Sequence, residues 1–294
     1  MSRLSTWVVP AYAKLNLSLS VVARRADGWH DIDSVLVPLD WHDLVGLSLA
    51  FAEHDSVALT VRGPAAAGVP TGEANLTVQA AQALPRIAGR PLALRLWLSK
   101  AVPHGAGLGG GSADAAAVLR AGVAMLRALG MASDPDQVAA AALEIGSDIP
   151  ALLTVAAHRV RGRGERIDEL SLPTIHVAVA STVPSSTPAT YAALISEEIE
   201  DDGRPARLAA LLQGGSRPGD ALMGSALEAA ACRAAPELET ALRRVREVIP
   251  GAIWHLTGSG GAVFAVATGA DHAERLAVAL RAAGFNARAC RTIG

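Results

Sequence analysis

The segment that most constrains this chain runs from Pro103 to Ala116, PHGAGLGGGSADAA, with glycine at 105, 107, 109, 110 and 111. Ahead of it Leu92, Leu94, Leu96 and Leu98 alternate with Ala93, Arg95, Trp97 and Ser99, the period of a strand with one wet face. Behind it Ser112 to Leu129 carries a helical stripe through Leu119, Val123 and Leu126, with Arg120 and Arg127 expected on a solvated face. Residues without a Cβ let several backbone N–H groups converge on one anion. The helix that follows turns its positive end to the same point. Strand, glycine turn and helix together predict a phosphate site; a flexible linker would not sit on a helix N-terminus.

The two commonest phosphate loops do not fit. Gly105, Gly107 and Gly110 satisfy GxGxxG, a weak match alone. A Rossmann unit needs a preceding strand buried on both faces, yet Leu92–Ser99 carries Arg95 and Trp97 on its second face. A Walker A loop needs a lysine before its Ser/Thr, and Gly111-Ser112 has none.

The rest of the chain supplies strands and helices without strict alternation, which favours an α+β class. Strands are expected over Trp7–Val22, Ile32–Leu39, Leu44–Phe51, Val57–Val61, Val177–Ala180 and Gly261–Ala267. Asn75 is expected to cap a helix running to about Leu84. Asp134-Pro135-Asp136-Gln137 reads as a cap, a first-turn proline and a capping-box Gln, with Gly146 as the stop. Further helices are expected over Leu238–Val248 and His272–Ala283. The polar stretch Arg161–Arg166 suggests a division into domains 1–160 and 161–294.

Composition narrows the function classes. With 294 residues, 51% hydrophobic and 18% charged, the chain has ample material for a core and is not disordered. A net charge of -2 gives no electrostatic footprint for nucleic acid, so no nucleic-acid partner is expected and any anion must be held by a local site. Prolines and polar residues interrupt the long uncharged windows, so no membrane span is expected. Cys232 and Cys290 are too few for a disulfide framework or a zinc site, which points to a reducing, cytoplasmic setting.

Three other segments complete a pattern. Pro10-Ala11-Tyr12-Ala13-Lys14-Leu15-Asn16-Leu17 puts Lys14 and Asn16 on one strand face. Gly146-Ser147-Asp148-Ile149-Pro150 presents a carboxylate after a helix, and Leu256-Thr257-Gly258-Ser259-Gly260-Gly261 is a second glycine turn. Together with the central loop, this order resembles the GHMP kinases. The resemblance implies a two-domain α+β fold, with an N-terminal domain like ribosomal protein S5 and a ferredoxin-like C-terminal domain. Arg25-Ala26-Asp27-Gly28-Trp29-His30 resembles the RxDGYH segment of one branch of that superfamily. That branch phosphorylates the tertiary 2-hydroxyl of a cytidyl-diphosphate-linked methylerythritol in the non-mevalonate isoprenoid route. Trp29 stands where Tyr is usual, Ala106 replaces a glycine, Ala113 a serine, and Ala156-Ala157 a glycine pair.

The resemblance implies roles residue by residue. Asp148 matches the catalytic base and Lys14 the lysine that orients the hydroxyl; Asp148 also reads as a helix cap, a role compatible with the first, and without the pattern Lys14 reads equally as an edge-strand lysine. Pro103, His104, Gly105, Ala106, Gly107, Leu108, Gly109, Gly110, Gly111, Ser112 and Ala113 would cradle the phosphates of ATP, with the Ser112 hydroxyl near Mg²⁺. Asn75, Leu76, Lys100 and Asp114 would hold adenine and ribose; Asp114 stands at a position that is often Asn. Asn16 would hydrogen-bond the substrate diphosphate or hydroxyl, and Gly258, Ser259 and Gly260 would border the substrate phosphates or merely form a turn. Trp29 and Tyr191 would sandwich the cytosine and His30 would read its edge, with Thr187 and Pro188 in the segment that offers the second aromatic. A packing role is the alternative for Trp29. The expected partner is thus a small molecule carrying cytidine diphosphate, met by a monomer or homodimer. Another GHMP kinase, acting on mevalonate, homoserine or a sugar, and a catalytically dead nucleotide sensor are the competing readings.

Overall fold

The computed structural model describes residues 6–294. Its first elements are β1 (Thr6–Arg24), β2 (His30–Phe51), β3 (Ser56–Arg62), α1 (Leu76–Ala88), β4 (Leu92–Ser99) and α2 (Gly110–Ala128). There follow α3 (Pro135–Ile145), α4 (Ile149–Leu152), β5 (Ala157–Gly162), β6 (Arg166–Leu170), β7 (His176–Ser181), α5 (Thr187–Ala192) and α6 (Arg204–Gln213). The remainder is β8 (Gly224–Ser225), α7 (Glu228–Ala234), α8 (Pro236–Val248), β9 (His255–Leu256), β10 (Ala262–Ala267), α9 (Ala270–Ala282) and β11 (Asn286–Arg291).

The chain forms two units, each compact in itself. The first takes the chain up to Ala13, Trp41–His104 and Gly109–Thr154; the second takes Lys14–Asp40, Gly105–Leu108 and Val155–Gly294. The division into 1–160 and 161–294 follows chain order, whereas compactness gives two early segments to the unit that holds the late strands. The polar Arg161–Arg166 stretch turns the chain from β5 to β6, which pair antiparallel from Ala157↔Leu170 to Arg161↔Arg166.

β1 and β2, at 19 and 22 residues, contribute to both units. The sequence pattern predicts two strands in the region of β2. The inward register in fact continues without a break through Leu39, Trp41, Asp43, Val45 and Leu47. Asp43 is a carboxylate at an inward position, which is why the apolar period looks interrupted.

In the first unit Leu44–Phe51 of β2 pairs antiparallel with β4, and β3 pairs parallel with the other edge of β4. The leucines of β4 are buried, and α1 packs on α2. α1 runs past Leu84 to Ala88 and stops at Gly89 in the left-handed region, φ 64°. Asp134 accepts from the Asp136 N–H at 3.0 Å to start α3, but the Gln137 amide donates to the Arg86 carbonyl, so the capping box does not form. Arg120 is not on a solvated face. It donates to the carbonyls of Pro10 (2.8 Å) and Leu152 (3.0 Å), and burial lowers its pKa.

In the second unit Ile32–Leu36 of β2 pairs with β5, and Ser18–Leu19 of β1 pairs parallel with β8. A four-stranded antiparallel sheet of order β11-β7-β10-β9 carries its own core, in which Val263 and Ala265 pack with Leu238, Leu242, Leu276 and Leu280. A bridge between Leu39 and Thr292 ties β2 to the residues after β11. Among the described residues no helix is long and apolar enough to cross a membrane.

Candidate active site

Within the second unit, three segments meet at the start of the Lys14–Asn16 stretch. The Lys14 N–H donates to the Leu108 carbonyl at 2.9 Å, and the Asn16 N–H donates to Thr257 Oγ1 at 2.8 Å. One strand therefore holds a residue of each glycine loop. The loops themselves touch backbone to backbone. Gly107 has φ 72°, and a Cβ there would lie 2.1 Å from the Gly260 carbonyl oxygen, so only glycine fits. Lys14 Nζ donates to Asn16 Oδ1 at 2.7 Å, and both side chains are buried. A Cβ on Gly258 would lie 3.1 Å from Asn16 Oδ1 and 3.3 Å from Lys14 Nζ, so the pair lies directly against the second glycine turn.

Hydroxyls hold that second turn. The Ser259 carbonyl accepts from Ser185 Oγ (2.8 Å) and Thr190 Oγ1 (3.0 Å), and the Gly258 carbonyl accepts from Ser225 Oγ (2.7 Å). Thr187 Oγ1 and Ser259 Oγ share a further bond at 2.7 Å. Carbonyls occupied by hydroxyls present no exposed negative edge to an anion. Ser185, Thr190 and Ser225 are not marked in the sequence analysis, and their part emerges only from the fold.

In the aromatic segment Tyr191 packs on His30, with ring centroids 5.1 Å apart and planes 34° apart. Trp29 is 51% exposed, which excludes a core-packing role, and the Arg163 guanidinium lies 4.0 Å from the centre of its ring. Arg163 lies in the β5–β6 turn, and in the sequence it is only one charge of a polar stretch. Burial, and then the charge of Arg24, push the His30 imidazole below its ordinary pKa, so the ring is neutral at pH 7.

Within the first unit, the glycine loop delivers the N-terminus of α2. Gly109 sits at the N-cap with φ 66° and has no side chain to occupy the free N–H groups of the first turn. Gly111 is exposed and Ser112 half-buried, so this turn is open to a ligand. His104 is also exposed, Pro103 is half-buried and Ala113 is buried; in the part of the loop that belongs to the second unit, Ala106 and Leu108 are buried. A Cβ on Gly111 would lie 3.9 Å from Leu76, and one on Gly110 would lie 3.5 Å from Lys100 Nζ. Leu76 and Lys100 thus reach the turn from α1 and the end of β4. Asn75 spends its side chain on structure, accepting from Thr77 N–H (2.8 Å) and donating to the Pro70 carbonyl (2.6 Å).

Beneath the turn lies a buried charge cluster. Lys100 Nζ donates to Asp114 Oδ2 at 2.6 Å and to Asp43 Oδ2, and the Lys100 and Asp114 residues are each 2% exposed. Asp43 Oδ1 accepts from Ala101 and Val102 N–H, fixing the first residues after β4. Burial works against the Lys100 ammonium, but Asp114 and Asp43 outweigh it and hold its pKa above the ordinary value. Burial first, with Asp43, pushes the Asp114 carboxyl up to about 7 against the pull of Lys100. Asp114 Oδ1 is buried with no hydrogen-bond partner, and its desolvation is part of what disfavours the ionised form. Lys100 and Asp114 are therefore bound to each other and to Asp43, not displayed on a surface.

Asp148 stands at the head of α4 in helical conformation, φ -82° and ψ -19°, and makes no capping hydrogen bond.

Comparison with known proteins accounts for these features together. Residues 75–154 match the model of the GHMP kinases N terminal domain. The chain is 37% identical over 278 residues to the 4-diphosphocytidyl-2-C-methyl-D-erythritol kinase of Thermus thermophilus, covering 93% of this chain and 92% of that one. To the enzyme of that name from Nocardia farcinica it is 37% identical, with 97% and 92% covered. A crystal structure of 4-(cytidine 5'-diphospho)-2C-methyl-D-erythritol kinase superposes with a TM-score of 0.77 at 34% identity, covering 98% of this chain and all of that one. The mevalonate kinase of Methanococcus jannaschii shares the fold, with a TM-score of 0.64 at 11% identity and coverage of 99% and 100%. With two glycine loops on one strand, an α+β architecture and this similarity along nearly its whole length, the chain belongs to the 4-diphosphocytidyl-2-C-methyl-D-erythritol kinase family of the GHMP kinases.

Proposed function

We propose that this protein transfers the γ-phosphoryl group of ATP to the 2-hydroxyl of 4-diphosphocytidyl-2-C-methyl-D-erythritol in the methylerythritol phosphate route. The observation that carries this reading is the buried Lys14–Asn16 pair set against Gly258, on a strand hydrogen-bonded to both glycine loops. An ammonium held at a glycine turn is suited to a phosphoryl group in transfer.

In this mechanism the N–H groups at the head of α2 and its glycine loop hold the ATP phosphates. Asp148 takes the proton of the attacking hydroxyl, a weak acid because it is tertiary. Lys14 orients that hydroxyl and offsets charge on the transferred group. Gly258, Ser259 and Gly260 border the substrate phosphates. Trp29 offers its exposed ring to the cytosine, with His30 as a neutral hydrogen-bonding group and Tyr191 fixing the His30 ring.

Among the described residues no three or more His, Cys, Asp or Glu side chains form a metal cage. Mg²⁺ keeps several waters and takes most of its remaining ligands from the nucleotide. The Ser112 hydroxyl in the first turn of α2 would serve as a protein ligand. When bound, the ion would neutralise charge on the β- and γ-phosphates.

ADP release measured across a panel of alcohols, with and without Mg²⁺, tests the reading. Turnover is expected with the cytidyl-diphosphate substrate and only with Mg²⁺ present. Turnover with mevalonate, homoserine or a sugar, and none with the cytidyl substrate, would overturn it.

A further inference from the structure

We infer that Ser34 is a positioning residue for phosphoryl transfer, locking the orientation of a buried hydrogen-bond relay that ends on Lys14. The relay has three links. Lys14 Nζ donates to Asn16 Oδ1 (2.7 Å), Asn16 Nδ2 donates to Ser34 Oγ (2.8 Å), and Ser34 Oγ donates to the Ser18 carbonyl (2.8 Å). Ser34 is wholly buried, in β2.

Donor and acceptor types fix the direction of every link. The Ser18 carbonyl can only accept, so it takes the single proton of the Ser34 hydroxyl. Ser34 can then only accept from Asn16, which must turn its NH₂ group toward β2. The amide oxygen is left facing Lys14, whose ammonium can only donate. The Ser34 hydroxyl thus locks from the far side the same orientation of the Asn16 amide that the lysine selects. The Asn16 backbone is held separately by Thr257, so the amide takes its orientation from side-chain bonds alone.

With alanine at position 34 the amide loses the acceptor that Ser34 Oγ offers, and its orientation rests on Lys14 alone. The lysine is then held less sharply at the atom it serves, and positioning errors cost rate more than binding. Nothing about Ser34 marks it in the sequence.

The inference rests on the catalytic role proposed for Lys14, and the experiment separates the two. Ser34→Ala, Lys14→Met and the double variant are compared by kcat, KM for ATP and thermal stability, with Ser34→Thr as the variant that keeps the hydroxyl. Ser34→Ala is expected to lose roughly ten- to a hundredfold in kcat, the range for a misplaced hydrogen bond to a charged group, with KM for ATP unchanged. Ser34→Thr should recover most of that loss. In the Lys14→Met background, Ser34→Ala should cost almost nothing further.

If Ser34→Ala costs the same factor with or without Lys14, it acts through general structure and the inference falls. If Lys14→Met is crippled while Ser34→Ala turns over like the parent, the relay does not matter and the inference falls alone. If Lys14→Met itself turns over normally, the proposed role of Lys14 falls first. Should Ser34→Ala not fold, Ser34→Cys takes its place, since a thiol is a weak acceptor of similar size. Normal turnover in that folded variant refutes the relay, and a partial loss that vanishes without Lys14 supports it.

Discussion

Asp114→Asn is the perturbation that most sharply tests the buried charge cluster. One ammonium faces two carboxylates there, and the Asp114 carboxyl is pushed from 3.8 up to about 7 by burial and by Asp43. Between those two values the folded protein holds a proton that the unfolded chain has released. Stability therefore falls as the pH rises through that window and levels off above it. A tenfold difference in proton affinity between the folded and unfolded chain is worth about 1.4 kcal/mol, so the whole window is worth on the order of 4 kcal/mol. From pH 5 to 8 the portion measured is roughly 2–3 kcal/mol. Asparagine cannot titrate, so the variant lacks this slope. Thermal or urea denaturation of both proteins at pH 5, 6.5 and 8 isolates the effect, because other titrating groups cancel in the difference. The variant should gain on the parent as the pH rises, by about 5 °C in Tm over that range. A difference that does not change with pH would show that Asp114 is ionised throughout, and the proposed proton sharing would be refuted.

Three further outcomes are expected. Asp148→Asn should fold and bind ATP normally yet lose several orders of magnitude in kcat; since Asp148 makes no capping bond, turnover near that of the parent would remove it from the mechanism. Gly109→Val should weaken ATP binding at least tenfold by calorimetry, because a β-branched residue resists φ 66°; unchanged affinity in a folded variant would mean the loop does not hold the phosphates. Trp29→Ala should raise KM for the cytidyl substrate by about one to two decades, the worth of one stacked base, while leaving Tm and KM for ATP near parent values. Equal damage to both substrates would place Trp29 outside the cytosine site.

Whatever depends on neighbours along the chain is legible in the sequence. The central loop can be read there because its glycines answer a local need, positive φ at 105, 107 and 109 beneath a helix start. Lys14 and Asn16 fall on one face because a strand alternates. The continuity of β2 is hidden because Asp43 stands where an apolar residue would keep the period, and its partner Lys100 is 57 residues away. Arg120 looks solvated because its acceptors, the carbonyls of Pro10 and Leu152, are contributed by distant segments. The Arg161–Arg166 stretch reads only as a polar connection because its charges mask a hairpin that presents Arg163 to Trp29. Local rules see the phosphate loop well and the partners of charged side chains poorly.

The pairing of β2 with residues near 292 has a consequence for synthesis. Leu39 bridges Thr292, the Ile293 N–H donates to the Pro38 carbonyl, and the Arg291 N–H reaches Asp40 across 251 residues. A ribosome delivers Pro38–Asp40 long before their partners exist. That short stretch must wait, already translated, while the rest of the chain is made. Contacts closed over so long a loop form late and slowly. The second unit therefore completes its sheet only after translation has passed residue 293, and a nascent chain stalled earlier exposes an unpaired length of β2 to chaperones or to neighbouring chains.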